Sequence, residues 1–275
     1  MTRCYNSITF SEMTHTMVSA ANSLSRALTL INLFDGPESV WTIEEMAESL
    51  DTSVRTVYRD VSALKDAGFL DPAGNGGYTL GPAFVHFDWL LRRTDPLISS
   101  AIAPMRVLLQ NTREDATAVL CRRYRDCVMC VHQEHGTAPH RDPVYQRGVT
   151  VPLFVGATSK VVLASLPSRT LKQIYLENEA QIKATSRCVD WKSFNSELSR
   201  IRANRHALTV SELRDGSVGI ASPILREDQV LGCVALVFDA ESVDTDERYQ
   251  RLIARVIVCA DAISQSLSNG AVKAG

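Results

Sequence analysis

Residues 52–70 read TSVRTVYRDVSALKDAGFL, with basic and hydroxyl side chains threaded between regularly spaced apolar ones. Arg55, Thr56 and Arg59 are side chains of the kind that bond base edges or phosphates in a DNA major groove, and Thr52, Ser53 and Tyr58 of the kind that position a helix on phosphates. A basic amphipathic helix is also an ordinary solvated helix, so this stretch alone leaves both readings open. A second constellation is Gly156-Ala157-Thr158-Ser159, at the start of a helical pattern. Free backbone N–H groups and the helix dipole make such a turn a receptor for an anion, a carboxylate above all. Its plain alternative is an N-cap with no ligand.

A third pattern, Cys127-x2-Cys130-x-His132-x2-His135 with His140 beyond it, has zinc-type residues. A CxxC pair needs a turn to converge its thiolates, and in a strand Cys127 and Cys130 point to opposite faces. A strand ending in a solvated loop is therefore expected, with no metal. Ser62 and Lys65 match S-x-x-K by chance, since the partner motifs S-D-N and K-T-G are missing. The sequence holds no G-x-S-x-G, Walker loop or H-E-x-x-H. Cys233 and Cys259 fall inside apolar elements, poor places for a nucleophile. The expectation is a protein without catalytic residues and without a cofactor.

The elements that would position these residues follow from periodicity. Residues 22–34 have helical apolar spacing and stop at Asp35-Gly36-Pro37. Thr42 and Glu45 form a capping box for a helix burying Ile43, Met46, Ala47 and Leu50. Ser53 is the N-cap of the next helix, whose stripe is Val54, Val57, Val61 and Leu64 and whose end is Gly68. GFLDP and GYTL, separated by AGNG, have hairpin chemistry. Helix, helix, turn, helix and hairpin is the order of a winged helix-turn-helix. Residues 82–93 make a helix too apolar for a free linker, one that packs against another copy or a neighbouring domain.

Beyond Thr94-Asp95-Pro96 the pattern changes. Helices are expected at 97–112, after Gly156, at 168–178, 190–204 and 244–267. Strands are expected within 116–134, at 149–155, 206–212, 217–225 and 229–238. The fold class is α+β with a mainly antiparallel sheet. The domains divide as a mobile arm at 1–18, the winged helix-turn-helix at 19–81, a linker helix at 82–95 and an α+β domain at 96–272.

Apolar residues are 45% and charged residues 22% of the 275, an ordinary globular balance. No apolar run approaches a membrane span and the N-terminus lacks the core of a secretory signal, so no membrane partner is expected. Seven cysteines, an odd number, fit reduced thiols in a cytoplasm. The formal net charge is -2, and acids outnumber bases in the first ninety residues. Bulk charge does not announce a nucleic-acid partner, so DNA binding must come from a small patch doubled by dimerisation.

Over residues 21–268 the chain resembles the IclR family of bacterial transcription regulators. The resemblance rests on SLSRALTLINLF, TIEEMAESLDTSVRTVYRDVSALKDAGFL and GYTLGPAF, then on VPLFVGATSKVVLASLP, ALTVSELRDGSVGIASPI and LGCVALVF. The recognition segment by itself also looks like the deoxyribonucleoside-regulator type, and the C-terminal half decides. The resemblance implies a winged helix-turn-helix, a linker helix and a GAF-like effector domain, working as a homodimer or tetramer on palindromic operator DNA. It places a small-molecule effector, an organic and possibly aromatic acid, at Gly156, Ala157, Thr158 and Ser159. Val151, Thr209, Gly219, Ala235 and Val237 would face it, with Tyr145 and Arg147 as weaker candidates. Thr209 stands where relatives that bind small oxoacids carry an acid, Glu212 matches the family's Glu, and Ala235 and Val237 replace two serines. Such a pocket suits a larger or more apolar effector. The rival expectation is a sensor module whose helix-turn-helix makes protein contacts.

Overall fold

The computed structural model describes residues 23–112, 115–136, 145–185, 188–227, 229–243 and 245–272. The expected arm at 1–18 and His140 lie outside them. The chain divides into two compact units between Thr94 and Asp95.

The N-terminal unit runs α1 (Ser23–Asn32), α2 (Ile43–Ser49), α3 (Val54–Asp66), β1 (Leu70–Pro72), β2 (Tyr78–Leu80) and α4 (Ala83–Thr94). Local chemistry fixes each boundary. Thr42 and Glu45 close the capping box, the Thr42 N–H donating to the Glu45 carboxylate at 2.8 Å. Ser53 caps α3 by accepting from the Thr56 N–H at 3.3 Å. At the other end Gly68 takes a left-handed φ of 76°. The Phe69 N–H then reaches the Leu64 carbonyl at 2.8 Å and the Gly68 N–H that of Lys65 at 2.9 Å, a Schellman ending. β1 and β2 pair antiparallel from Leu70 with Leu80 to Pro72 with Tyr78, and Trp41 adds a further rung against Tyr78. Gly81 is required where the chain leaves this hairpin, because a Cβ there would stand 2.3 Å from the Gly68 carbonyl oxygen.

Leu30, Met46, Ala47, Leu50, Val57, Val61 and Leu70 form the core of this unit. One expected core position is corrected: Val54 is exposed, because the first helical residue of α3 stands ahead of the turn that packs. The unforeseen inward residue is Asp60.

The C-terminal unit contains α5 (Pro96–Gln110), β3 (Ala116–Tyr124), β4 (Cys127–His135), β5 (Thr150–Pro152), α6 (Ala157–Ala164), α7 (Ser168–Thr185), α8 (Trp191–Asn204), β6 (Ala207–Val210), β7 (Ser217–Arg226), β8 (Gln229–Asp239) and α9 (Asp246–Val272). The sheet has the order β5-β4-β3-β8-β7-β6, antiparallel throughout. Alternate residues of its strands feed two cores. Ala118, Leu120, Ile220, Val234, Leu236 and Phe238 pack with α5 and α9. Val119, Cys121, Ala221, Cys233, Ala235 and Val237 pack with α6, α7 and α8. Because both faces are covered, β7 and β8 are buried almost end to end.

Two elements differ from expectation. Only Thr150–Pro152 of the 149–155 run pairs as a strand, and Leu153–Val155 turns directly into α6. α7 continues past residue 178 to Thr185 through a distortion at Asn178, whose amide donates to the Ile174 carbonyl at 2.9 Å. That side-chain bond carries the helix across the irregular turn.

Candidate functional site

Along α3 the buried stripe of Val57 and Val61 leaves Arg55, Tyr58 and Arg59 exposed on the outer side. Ser53 is exposed and Thr52 and Thr56 are half-buried. Thr56 already has local work: its hydroxyl lies 2.8 Å from that of Ser53, within the cap. Arg59 keeps 73% of its side chain exposed while its Nε lies 3.8 Å from the buried Asp60 carboxylate. Asp60 is held chiefly by Arg26 of α1, Nε to carboxylate 2.5 Å. The bond to Asp60 raises the Arg26 pKa. This ion pair ties α1 to the inner side of α3 and so fixes how α3 presents its arginines.

The second constellation gathers at the start of α6. Gly156 is its N-cap, with a φ of 82°, and all eight residues of the helix are buried. Thr209, Gly219, Val237 and Thr117 stand in register across β6, β7, β8 and β3, and Ala235 pairs with Ala221 and Val119 two positions along. These residues share the sheet face that packs against α6. A Cβ on Gly219 would stand 3.4 Å from the Ala157 Cβ and 3.5 Å from the Thr209 hydroxyl. The Tyr145 hydroxyl lies 3.7 Å from the point where a Cβ on either Gly156 or Gly219 would be. Val151, buried on β5, belongs to the same core. The sequence-predicted effector residues are thus brought to one region, with the Tyr145 hydroxyl near both Gly156 and Gly219.

The electrostatics of this region were not foreseen. The Gly156 N–H donates to Glu212 Oε2 at 3.0 Å. Lys160 Nζ donates to Glu212 Oε1 at 2.6 Å and to Glu197 Oε1 of α8 at 2.9 Å. The Cys188 thiol donates to the other Glu197 oxygen at 3.1 Å. Burial disfavours the Lys160 ammonium, but Glu212 and Glu197 outweigh it and its pKa is raised. Burial likewise pushes the Glu197 carboxyl up, and the Lys160 charge overturns that to leave it below its ordinary value. Two hydroxyls in the first turn of α6, Thr158 Oγ1 and Ser159 Oγ, are fully buried without a hydrogen-bond partner among the described residues.

Next to this turn Cys130, Cys121 and Cys233 stand in register on β4, β3 and β8, and the Cys233 thiol donates to the Thr158 carbonyl at 3.5 Å. The hydrogen bond with Cys130 favours the Cys121 thiolate. The bond with Cys233 and burial prevail, leaving the thiol well above its ordinary pKa. Cys130 is raised by its bond to Cys121 and by burial. Burial pushes Cys259 up to about 12. Such thiols stay protonated and are poor nucleophiles. The zinc-like residues of β4 are dispersed. Cys130 enters the α6-side core, His132 bonds Glu134 at 3.0 Å, and His135 bonds Thr117 at 3.2 Å. Among the described residues no group of three His, Cys, Asp or Glu could hold a metal.

The family model "Bacterial transcriptional regulator IclR C-terminal" matches residues 91–265, well over half of the chain. The chain belongs to the IclR family. A helix-turn-helix domain model matches residues 26–78. Among relatives, the HTH-type transcriptional regulator KipR of Bacillus subtilis is 25% identical over 244 residues, covering 88% of this chain and 95% of KipR. The glycerol operon regulatory protein of Streptomyces coelicolor is 27% identical over 253 residues, covering 90% and 97%. In fold, the chain is similar to an IclR regulator from Alicyclobacillus acidocaldarius, with TM-score 0.73, 21% identity and coverage of 90% and 100%. It is also similar to an IclR homolog from Microbacterium hydrocarbonoxydans complexed with 4-hydroxybenzoate, with TM-score 0.71, 16% identity and coverage of 90% and 99%.

This IclR-family chain is therefore a transcriptional regulator with a helix-turn-helix DNA-binding domain and an α+β effector domain; the family comprises regulators rather than enzymes. No helix among the described residues is long and apolar enough to cross a membrane. Sequence reasoning missed Asp60, Lys160 and Glu197. A lysine inside the apolar run Val161–Ala164 and its preceding turn was the available signal, since a buried ammonium demands carboxylate partners.

Proposed function

We propose that this IclR-family regulator works in the cytoplasm as a homodimer or tetramer, one α3 per subunit entering each of two successive major grooves of an operator. Arg55, Thr56 and Arg59 contact bases or phosphates; Thr52, Ser53 and Tyr58 position the helix on phosphates; the β1–β2 hairpin lies over flanking backbone. The observation that carries this reading is the outward display of Arg55, Tyr58 and Arg59 on a helix whose inner side is locked by Val57, Val61 and Asp60. The exposed Val85, Phe87, Trp89 and Leu91 of α4 support subunit pairing, since so much apolar surface is costly in water. Pairing also doubles a weak basic patch on an acidic unit.

In the C-terminal unit a small aromatic acid would place its carboxylate at the start of α6 and its apolar body against Val151, Thr209, Gly219, Ala235 and Val237. The complex of one structural neighbour with 4-hydroxybenzoate supports that ligand class. Binding would shift the population of DNA-competent pairs by no more than the effector's differential affinity for the two states. Thermal-shift screening of the full chain against aromatic and aliphatic acids tests the effector half. An aromatic acid should raise the melting temperature and change operator affinity in a mobility-shift titration. Stabilisation by aliphatic acids alone would contradict the proposed class.

A further inference from the structure

The seat at the start of α6 is already taken by the protein's own carboxylate. Glu212 accepts from the Gly156 N–H at 3.0 Å through one oxygen and from Lys160 Nζ at 2.6 Å through the other. An effector carboxylate placed on the same N–H would meet Glu212 at contact distance, and two anions cannot share one donor without strong repulsion. The same cluster holds Glu197, so two carboxylates already divide one ammonium.

Three further features show a seat built for more than a packing contact. Thr158 Oγ1 and Ser159 Oγ, buried in the first turn, have no partner among the described residues. Native structures rarely leave such hydroxyls unsatisfied. Gly156 and Gly219 keep the backbone open on either side of the Tyr145 hydroxyl, and Leu213 follows Glu212 on the same turn and closes on Gly156, 2.6 Å from where its Cβ would be. Glu212 retains 28% side-chain exposure against 8% for Lys160, so it is the member of the pair with room to leave.

We propose that Glu212 is an internal competitor for the effector: an anionic ligand binds by displacing the Glu212 carboxylate from the Gly156 N–H, while Lys160 stays as the fixed counter-charge. The inference rests on the effector seat proposed above and deepens it. The Glu212 turn joins β6 to β7, so displacement carries Leu213 away from Gly156 and opens the wall of the seat. Ligands are thereby selected for a negative charge, because a neutral molecule gains nothing from Lys160 and cannot replace what Glu212 gives up.

The test is calorimetric titration of the full chain with acetate, benzoate and 4-hydroxybenzoate, each beside its neutral amide. Wild type, Glu212→Gln and Gly219→Val are compared, with circular dichroism confirming the fold of each. An internal competitor that leaves the seat open a tenth of the time weakens apparent affinity about tenfold. Glu212→Gln should therefore bind the best acid about tenfold more tightly than wild type, its neutral amide remaining the weaker ligand in both, and Gly219→Val should abolish binding. Equal or weaker acid binding by Glu212→Gln, with Gly219→Val still blocking, would overturn the competitor while leaving the seat in place. Acid binding untouched by Gly219→Val would overturn the seat and the competitor together. Failure of Glu212→Gln to bind any of the three acids would also overturn it, since a seat relieved of its anionic occupant must accept an anion. Should Glu212→Gln not fold, Glu212→Ala gives the same comparison with Lys160 kept, binding the acid more tightly than wild type if Glu212 competes.

Discussion

α3 and α6 are both begun by a tight turn and both carry the polar residues on which the proposed function rests, yet they are built in opposite ways. α3 buries one stripe and turns its arginines to solvent, where Arg59 is held by Asp60 only at 3.8 Å. α6 is buried all round, and its one cation is held by two carboxylates at 2.6 and 2.9 Å. The grip on a polyanion proposed for α3 suits charges that stay hydrated and lightly tethered. The sensing of a small molecule proposed for α6 suits a desolvated charge, where exchanging one carboxylate for another changes the energy of the whole cluster.

The contrast breaks most visibly at Lys160. Lys160→Met leaves Glu212 and Glu197 facing each other without their counter-charge, and loss of a buried partner should cost the C-terminal unit about 3 kcal/mol. Urea unfolding checks this; a change no larger than that of a surface substitution would mean the cluster is solvated. Glu197 sits below its ordinary pKa, so its contribution is complete above its unfolded value and is lost as the pH falls through its folded value. Lys160 has the opposite sign: its raised pKa gives stability that is complete below the unfolded value and fades as the pH rises through the folded one. An acid-side loss of stability in wild type should therefore be reduced in Lys160→Met.

The corresponding pair in the N-terminal unit is Arg26 with Asp60. Arg26→Met should lower the melting temperature of that unit and weaken operator binding without touching acid binding, because only the seating of α3 changes. Operator affinity that survives alongside a lowered melting temperature would separate the fold of α3 from its display. Ser53→Ala removes only the cap of α3 and is the smallest step, costing about 1 kcal/mol. Its effect on operator binding should not exceed its effect on stability unless the hydroxyl also meets phosphate.

These two helices also mark how far the sequence could be read. The fold was legible in detail: the capping box at Thr42, the cap at Ser53, the stop at Gly68 and the alternation of β3 and β8 all have local signatures. So did the outward face of α3, since a 3.6-residue period separates wet from dry. Asp60 broke the rule, being polar on the dry side, because its partner Arg26 is 34 positions away and no local pattern records the pairing. In α6 the period carries no information, as every residue is buried. Gly156, Gly219, Ala235 and Val237 could be placed through the family resemblance, whereas the bond from Gly156 to Glu212 joins residues 56 apart and needed the folded chain.

That α3 holds DNA through its exposed arginines is best examined by a salt titration of Arg55→Ala/Arg59→Ala beside wild type, on an operator selected by wild type from random duplexes. Removing two phosphate-reaching cations should weaken binding at low salt and flatten the slope of log K against log salt by about 2 units, one for each cation. Effector binding and melting temperature should not change. Equal affinity and equal slope in the two proteins would contradict DNA recognition by this face of α3.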